Sequence, residues 1–389
     1  MAVILQEVVG KQYGDHFYPN FSGVLRSINY YPLGYEKSEE GIASLALGLG
    51  KYIVDGGQTL RVSPYHPDQV LQTSDMEIAL RQTQTRFYAL DMKHIGEDFK
   101  VDDGFNIMNL KVKDADADGA LNFIASTYDP YDQVIREGLY DGGRKIISFC
   151  GLLRQGVFPL PELLKLSMRH GADSMKRPVE IEFACTLNND RTGEFYLLQI
   201  RPIVDSKQML DEDLASIPDE KCLLRSHNSL GHGVSTDVTD VVYIKTSDDF
   251  TAADNPAIAD EIEHMNRKFL ADNTGYVLVG PGRWGSSDPW LGVPVKWPHI
   301  SAAKIIVETT LKNYSVDPSQ GTHFFQNLTS FGVGYFTIDE NKGMGFFRKE
   351  ILDAMPSVDE TEHVRHVRFD KPLKIMMDGM KQEGLVMEQ

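Results

Sequence analysis

Cysteine, positive charge and long apolar runs are all scarce in this chain of 389 residues, and each shortage removes a class of protein. The three cysteines, Cys150, Cys185 and Cys222, are far apart and form no CxxC pair, so neither a disulfide framework nor a zinc site is indicated, and a reducing cytoplasm is the expected compartment. With 39 basic residues against 56 acidic ones the net charge is -17, which repels a polyanion such as nucleic acid except at a local basic patch, and no such patch is evident along the sequence. A nucleoside triphosphate is not excluded, because magnesium bridges carboxylates to phosphates whatever the net charge. No apolar run approaches the roughly 20 residues that span a bilayer, and the opening Met-Ala-Val-Ile-Leu-Gln-Glu meets an acid too early for a signal peptide. The reading is a soluble protein with no membrane and no nucleic-acid partner. Internal repeats and low-complexity segments are also missing.

What is present is an ordinary globular composition, 42% hydrophobic with 33 Gly and 18 Pro, on a chain long enough for two domains. Residues 2–9 read as a buried strand with no lead-in, from which the expectation follows that a partner segment precedes Met1. Phe21 to Ile28 reads as a strand, Glu39 to Val54 as a helix, and 86–93, 104–112 and 121–127 as short strands between Asp- and Gly-rich turns. Asp114-Ala-Asp-Ala-Asp-Gly119 imitates the start of a calcium loop, but position twelve is Ala125, so a solvated turn is the better reading. Arg144 to Leu153 reads as a strand and Leu160 to His170 as an amphipathic helix behind Pro159-Leu-Pro161. A boundary is expected near Val204 to Ile217. Beyond it, a helix is expected over Ala257 to Leu270, a strand over Tyr276 to Val279, a helix over Ile300 to Lys312 and a strand over Gly332 to Ile338.

The richest chemistry lies in a hairpin with strands near 179–186 and 194–202, joined by Asn188-Asn-Asp-Arg-Thr-Gly193. Strand alternation puts Glu180 and Glu182 on one face and Val179, Ile181 and Phe183 on the other. On the returning strand it predicts one face of Phe195, Leu197, Gln199 and Arg201 and another of Tyr196, Leu198 and Ile200. Two acids, an amide oxygen and a guanidinium then converge, which suits magnesium and a triphosphate. A solvent-facing hairpin with an acid paired to Arg201 accounts for the spacing equally well.

At these residues the sequence resembles the nucleotide-binding domain of the phosphoenolpyruvate synthase and pyruvate,phosphate dikinase family, also called the PEP/pyruvate-binding domain, an ATP-grasp fold. The residues that carry the likeness are Val179-Glu-Ile-Glu-Phe-Ala184 and Leu198-Gln-Ile-Arg-Pro202, with Ala2-Val-Ile-Leu-Gln-Glu-Val-Val9, Phe21-Ser-Gly-Val24, Gly48-Leu-Gly50 and Ile53-Val-Asp-Gly56 in the family's order. The resemblance implies that Glu182 and Gln199 bind Mg2+, that Glu180 steadies the metal or ribose region, and that Arg201 acts as the catalytic residue holding the transferring phosphate of ATP. It also implies that Gln6, Glu7 and Val8 line the adenine through main-chain groups. It covers residues 1–205 and only the latter half of the family's domain, Lys51 stands where the family has Glu, and 58–150 matches weakly. The half carrying a phosphate-binding lysine and arginine is therefore expected from an upstream segment or domain, and this chain alone is expected to be weak or inactive.

Residues 206–389 read as an α/β C-terminal domain, a diverged swivelling phosphohistidine-like domain or an unrelated one. In Gly280-Pro-Gly-Arg-Trp-Gly-Ser-Ser-Asp288, followed by Leu291-Gly-Val-Pro294, Asp288 stands where that family's domain needs a histidine, and His227 and His232 are weaker carriers. Gly280, Gly282 and Gly285 spell G-x-G-x-x-G, but Pro289 and the polar run before it do not open a helix, so an anion-holding loop with Arg283 is preferred to a dinucleotide site. His363-Val-Arg-His366 is read as solvent-exposed. The whole is expected to be α/β, of mixed α+β type: a partial ATP-grasp domain with a second, smaller α/β domain. It is read as the C-terminal part of a dikinase-like phosphotransferase contributing a Mg-ATP half-site, the alternative being a non-catalytic nucleotide-sensing or interaction module.

Overall fold

The computed structural model describes residues 5–94, 104, 106–203, 213–246, 250–286, 288–310 and 332–389. The chain divides into two compact units of nearly equal length, Met1–Asn29 with Glu39–Ile203, and Tyr30–Ser38 with Val204–Gln389. Both mix helices and sheets, as the composition suggests. Most of the boundary expected near Val204 to Ile217 lies outside the described residues.

The first unit is organised by a five-stranded antiparallel sheet in the order Gly193–Pro202, Val179–Leu187, Phe21–Arg26, Ile42–Ala46, Leu60–Val62. Val179, Ile181, Phe183 and Cys185 alternate onto one face, opposite Phe21 and Leu25, and all are buried in one apolar cluster. The helix Leu160–Met175 covers that face. It comes close because Gly171 has no side chain: a Cβ there would stand 2.8 Å from Ile200 Cδ1 and 3.0 Å from Val179 Cγ2. Two smaller sheets complete the unit, Lys11–Tyr13, His16–Tyr18, Arg86–Asp91, Ile107–Lys111 and Arg144–Ile147, Ala125–Asp129, Val134–Glu137.

Several local expectations are corrected. Residues 5–10 form no strand, and Leu5 is 93% exposed and Val8 48%, because no neighbouring strand pairs with them; residues 1–4 lie outside the described set. Glu39 to Val54 is a strand, Ile42–Ala46, followed by the single turn Lys51–Val54, since Ala43, Leu45 and Ala46 are needed by the sheet. The Asp114–Gly119 run is mostly helical, within Val112–Ala117. Among the described residues no group of three or more acid, His or Cys side chains is arranged for a metal.

The second unit is built on a ten-stranded mixed sheet. His232–Ile244, Tyr276–Pro281, Ala303–Thr309 and Gly334–Ile338 run parallel, and the long strand Val364–Asp378 joins antiparallel beside the first of them. Helix Asn255–Asp272 buries Ile258, Ile262, Met265 and Phe269 on one face, and Leu352 packs on the other. The helix expected over Ile300 to Lys312 is instead the turn Trp297–Ile300 and the strand Ala303–Thr309. Ile305, Ile306 and Val307 are buried on both faces of a parallel sheet, where β-branched runs belong. Residues 30–38 belong to this unit although both flanking strands belong to the other: Gly231 N–H donates to Tyr30 O at 3.0 Å, Ser38 Oγ donates to Gly379 O at 2.9 Å, and Tyr31 and Leu33 pack on the Ile258 cluster.

No helix among the described residues is long and apolar enough to cross a membrane. The three cysteines are free and buried.

Candidate functional site

The sheet face turned away from the Leu160–Met175 helix carries the polar residues of the hairpin, and strand register arranges them in rows. In the first row Arg201 faces Glu180 and Glu180 faces Arg26 on the next strand. In the second, two residues or about 7 Å further along the strands, Gln199, Glu182, Val24, Ser44 and Arg61 follow one another across all five strands.

Glu180 is the fixed point of the first row. Arg26 Nε donates to its Oε2 at 2.8 Å and Arg201 Nε to its Oε1 at 2.9 Å, with a second bond from Arg201 Nη2 to the same oxygen. The carboxylate side chain is 8% exposed, whereas those of Arg26 and Arg201 are 54% and 59% exposed. Burial alone would raise the Glu180 pKa, but the hydrogen bond from Arg201 and the charge of Arg26 outweigh it and hold the group below its ordinary value. The same contacts raise Arg201. Each guanidinium has five N–H donors, so both keep hydrogens directed at solvent after binding Glu180.

In the second row, Glu182 and Gln199 face each other across the strand pair, and neither side chain has a hydrogen-bond partner among the described residues. Their oxygens are free to ligate. One or two carboxylates with further oxygen donors suit magnesium, which completes its shell with water and phosphate oxygens, so this pair fits the ion that the sequence suggested. Arg61, at the far end of the row, donates from Nη2 to Asn29 Oδ1 at 3.2 Å.

The faces of the returning strand differ from the strict alternation expected of them. Phe195 and Ile200 both pack against the unit's core, although an odd separation of five residues would put them on opposite faces. The register explains it: Glu182 pairs with Gln199 but Phe183 pairs with Leu197, so Leu198 is an extra residue in a β-bulge. The bulge turns Phe195 inward, its ring stacked on Phe183 at 4.8 Å, and leaves Gln199 and Arg201 on the polar face. The Leu198 carbonyl accepts a hydrogen bond from Gln6 Nε2 at 3.1 Å. Gln6, Glu7 and Val8 are therefore exposed and without regular structure, not a buried strand, and the Gln6 side chain reaches the edge strand next to Gln199.

Alternation in the sequence thus finds Glu180, Glu182, Gln199 and Arg201, and the fold brings these four together. It misses Arg26 and Arg61. The signal for Arg26 was its place at the end of Phe21–Arg26, in phase with Ser22 and Val24, but only the register shows which acid it meets.

The candidates of the second unit are all engaged elsewhere. The glycine loop opens no helix; Arg283–Trp284 pairs with Gly292–Val293, and Trp284 is buried, its Nε1 donating to Val307 O at 3.0 Å. Asp288 Oδ1 accepts from Trp290 N–H at 3.0 Å, closing a turn. His227 Nδ1 lies 2.8 Å from Glu383, and the His232 ring is stacked on Tyr30 at 4.5 Å. His363 and His366 are not the exposed pair expected. His366 is buried, its Nε2 2.6 Å from Asp240, because Phe269 and the strand Val364–Asp378 close over it, and His363 Nδ1 lies 2.8 Å from Glu261.

Residues 1–221, more than half of the chain, match the family profile of the AMP/ATP-binding domain of pyruvate phosphate dikinase. No curated protein matches the chain.

Proposed function

The chain belongs to the family of the pyruvate phosphate dikinase AMP/ATP-binding domain, and from that premise we propose that the polar face of its hairpin is one jaw of a Mg-ATP site in a dikinase-like phosphotransferase. The observation that carries the reading is the pair of rows: a carboxylate-locked pair of guanidiniums beside two oxygen donors with no hydrogen-bond partner among the described residues. Glu182 and Gln199 would hold Mg2+, which supplies charge neutralisation between the phosphates when bound. Arg201, steadied by Glu180, presents its remaining N–H groups to a phosphoryl oxygen, and Arg26 stands ready beside it. Glu180 acts as a positioning residue for both. Gln6, whose side chain is tied to the Leu198 carbonyl, would line the base together with Glu7 and Val8 through main-chain groups.

In this reading the jaw is the latter half of an ATP-grasp domain. Both of its cations in the first row share one carboxylate, so the charge developed on a transferring phosphoryl group needs further cations from an upstream segment or another domain. The test is calorimetry of ATP with and without magnesium, on this chain and on a version extended upstream, each with Glu182→Ala and Gln199→Ala. Magnesium-dependent binding that falls about tenfold or more in both variants is expected from the loss of a metal ligand. Equal binding with and without the substitutions in the extended protein would remove the hairpin from the site.

A further inference from the structure

A second cluster of the first unit has no role in the hairpin chemistry. Where Arg86–Asp91 pairs with Ile107–Lys111 and the chain turns into Val112–Ala117, a cavity of about 250 Å³ is walled by Lys111, Lys113, Arg144 and Lys145, with Gln84 and Thr85 beside them. Asp116 is the one acid in its lining.

Several cations elsewhere in the unit are neutralised by a carboxylate: Arg81, Arg136, Arg154 and Arg201 each close on one. None of the four cations of the cavity makes an ion pair among the described residues, in a chain where acids outnumber bases 56 to 39. Arg86 stands directly across from Lys111, a like-charged pair that works against the sheet. The Lys145 ammonium is held by neutral acceptors, the carbonyls of Tyr140 and of Gly142, the latter at 3.1 Å, which fix its position without reducing its charge. Four cations and a hydroxyl around so small a space face a single acid, Asp116. The volume is below the roughly 300–1,000 Å³ of pockets for drug-sized ligands, and at about 30 Å³ per water it holds only a compact group.

We propose that this cavity binds a compact, multiply charged phosphate anion of pyrophosphate size, at a site distinct from the hairpin. The ligand's oxygens accept from Lys113, Arg144 and Lys111, with the Thr85 hydroxyl as a neutral donor. No bond forms or breaks there.

The test is calorimetry of sodium pyrophosphate, without magnesium, on the full chain at about 0.15 M salt, where exposed charges are screened beyond about 8 Å. Wild type is compared with Lys113→Gln/Arg144→Gln, with Lys111→Gln, and with Glu182→Ala/Gln199→Ala; citrate is titrated in parallel. Loss of two charge-assisted bonds predicts a fall in affinity of about tenfold or more for the double variant. Lys111→Gln moves in the same direction, and the hairpin variant is unchanged. Lys111, Lys113 and Arg144 are exposed, so the thermal midpoints stay at the wild-type value. Absence of binding by the wild type overturns the proposal. So does unchanged affinity in both cavity variants, a loss that follows the hairpin variant instead, or citrate binding as tightly as pyrophosphate.

Discussion

Replacing Glu180 by glutamine tests the logic of the first row directly, because it keeps the shape of the side chain and removes the charge that holds two guanidiniums in place. Three hydrogen bonds converge on this carboxylate. Bonds to a charged group are worth about 1.5–3 kcal/mol each when buried, and exposed ion pairs about 0–1 kcal/mol. Here the carboxylate is buried and both arginines are more than half exposed, so the sum is discounted strongly, to about 2 kcal/mol for the whole row. Glutamine can satisfy one arginine through its carbonyl, but its amide hydrogens then meet the other, and two positive groups are left uncompensated on the strands to either side of it. The measurement is hydrogen exchange under mild urea, read at amides of Phe21–Arg26, Val179–Leu187 and Gly193–Pro202. The pH dependence supplies a second check. The folded pKa of Glu180 lies below its ordinary value of 4.5, so its stabilisation is fully present above that value and disappears as the pH falls through the lower folded pKa. The gap between wild type and variant is therefore largest near pH 7 and narrows toward the most acid pH at which the wild type stays folded. A gap under about 0.5 kcal/mol at pH 7, the size of an ordinary surface change, or one that does not narrow in acid, refutes the reasoning.

Two further outcomes follow from the same sheet. Deleting Leu198 removes the bulge, so either Phe195 leaves the core or Gln199 and Arg201 leave the polar face; urea denaturation should show a loss of about 2 kcal/mol, or magnesium-dependent ATP binding should vanish, and a deletion that spares both refutes the assignment. Gly23→Ala places a Cβ 2.2 Å from Phe183 Cζ, and that ring is already stacked on Phe195 and edge-on to Phe21. Overpacking of about 2 kcal/mol should lower the melting midpoint by roughly 4–8 °C in a unit of this size, and an unchanged midpoint would show that the ring is free to move.

The hairpin was legible because its alternation is strong: Val179, Ile181 and Phe183 are apolar, Glu180 and Glu182 are not, and period two alone separates them. The phase of the returning strand was not legible, since a bulge is one extra residue with no composition of its own, and Tyr196, Leu197 and Leu198 suit either face. Arg26 was hidden because an ion pair across 154 positions of sequence exists only once the strands pair. Residues 5–9, the described part of the run expected as a strand, misled for the opposite reason: an apolar run looks like a strand whether or not the fold supplies a neighbour for it. Likewise Ile305, Ile306 and Val307 carry no period and fall within the helix expected over Ile300 to Lys312, although their β-branching favours the buried strand they form.

The assignment of Tyr30–Ser38 to the second unit bears on how such a protein could be cut, fused or shuffled. A domain that is one unbroken stretch of gene can be excised as a cassette, but neither unit here is one. A break near residue 203 leaves Tyr31 and Leu33 without the apolar cluster that covers them, and leaves Ser38 without the carbonyl of Gly379. The loop between Phe21–Arg26 and Ile42–Ala46 is thus shared property, written in one unit's stretch of message and folded into the other. Any recombination that exchanges the second unit must therefore carry a nine-residue segment from the middle of the first along with it.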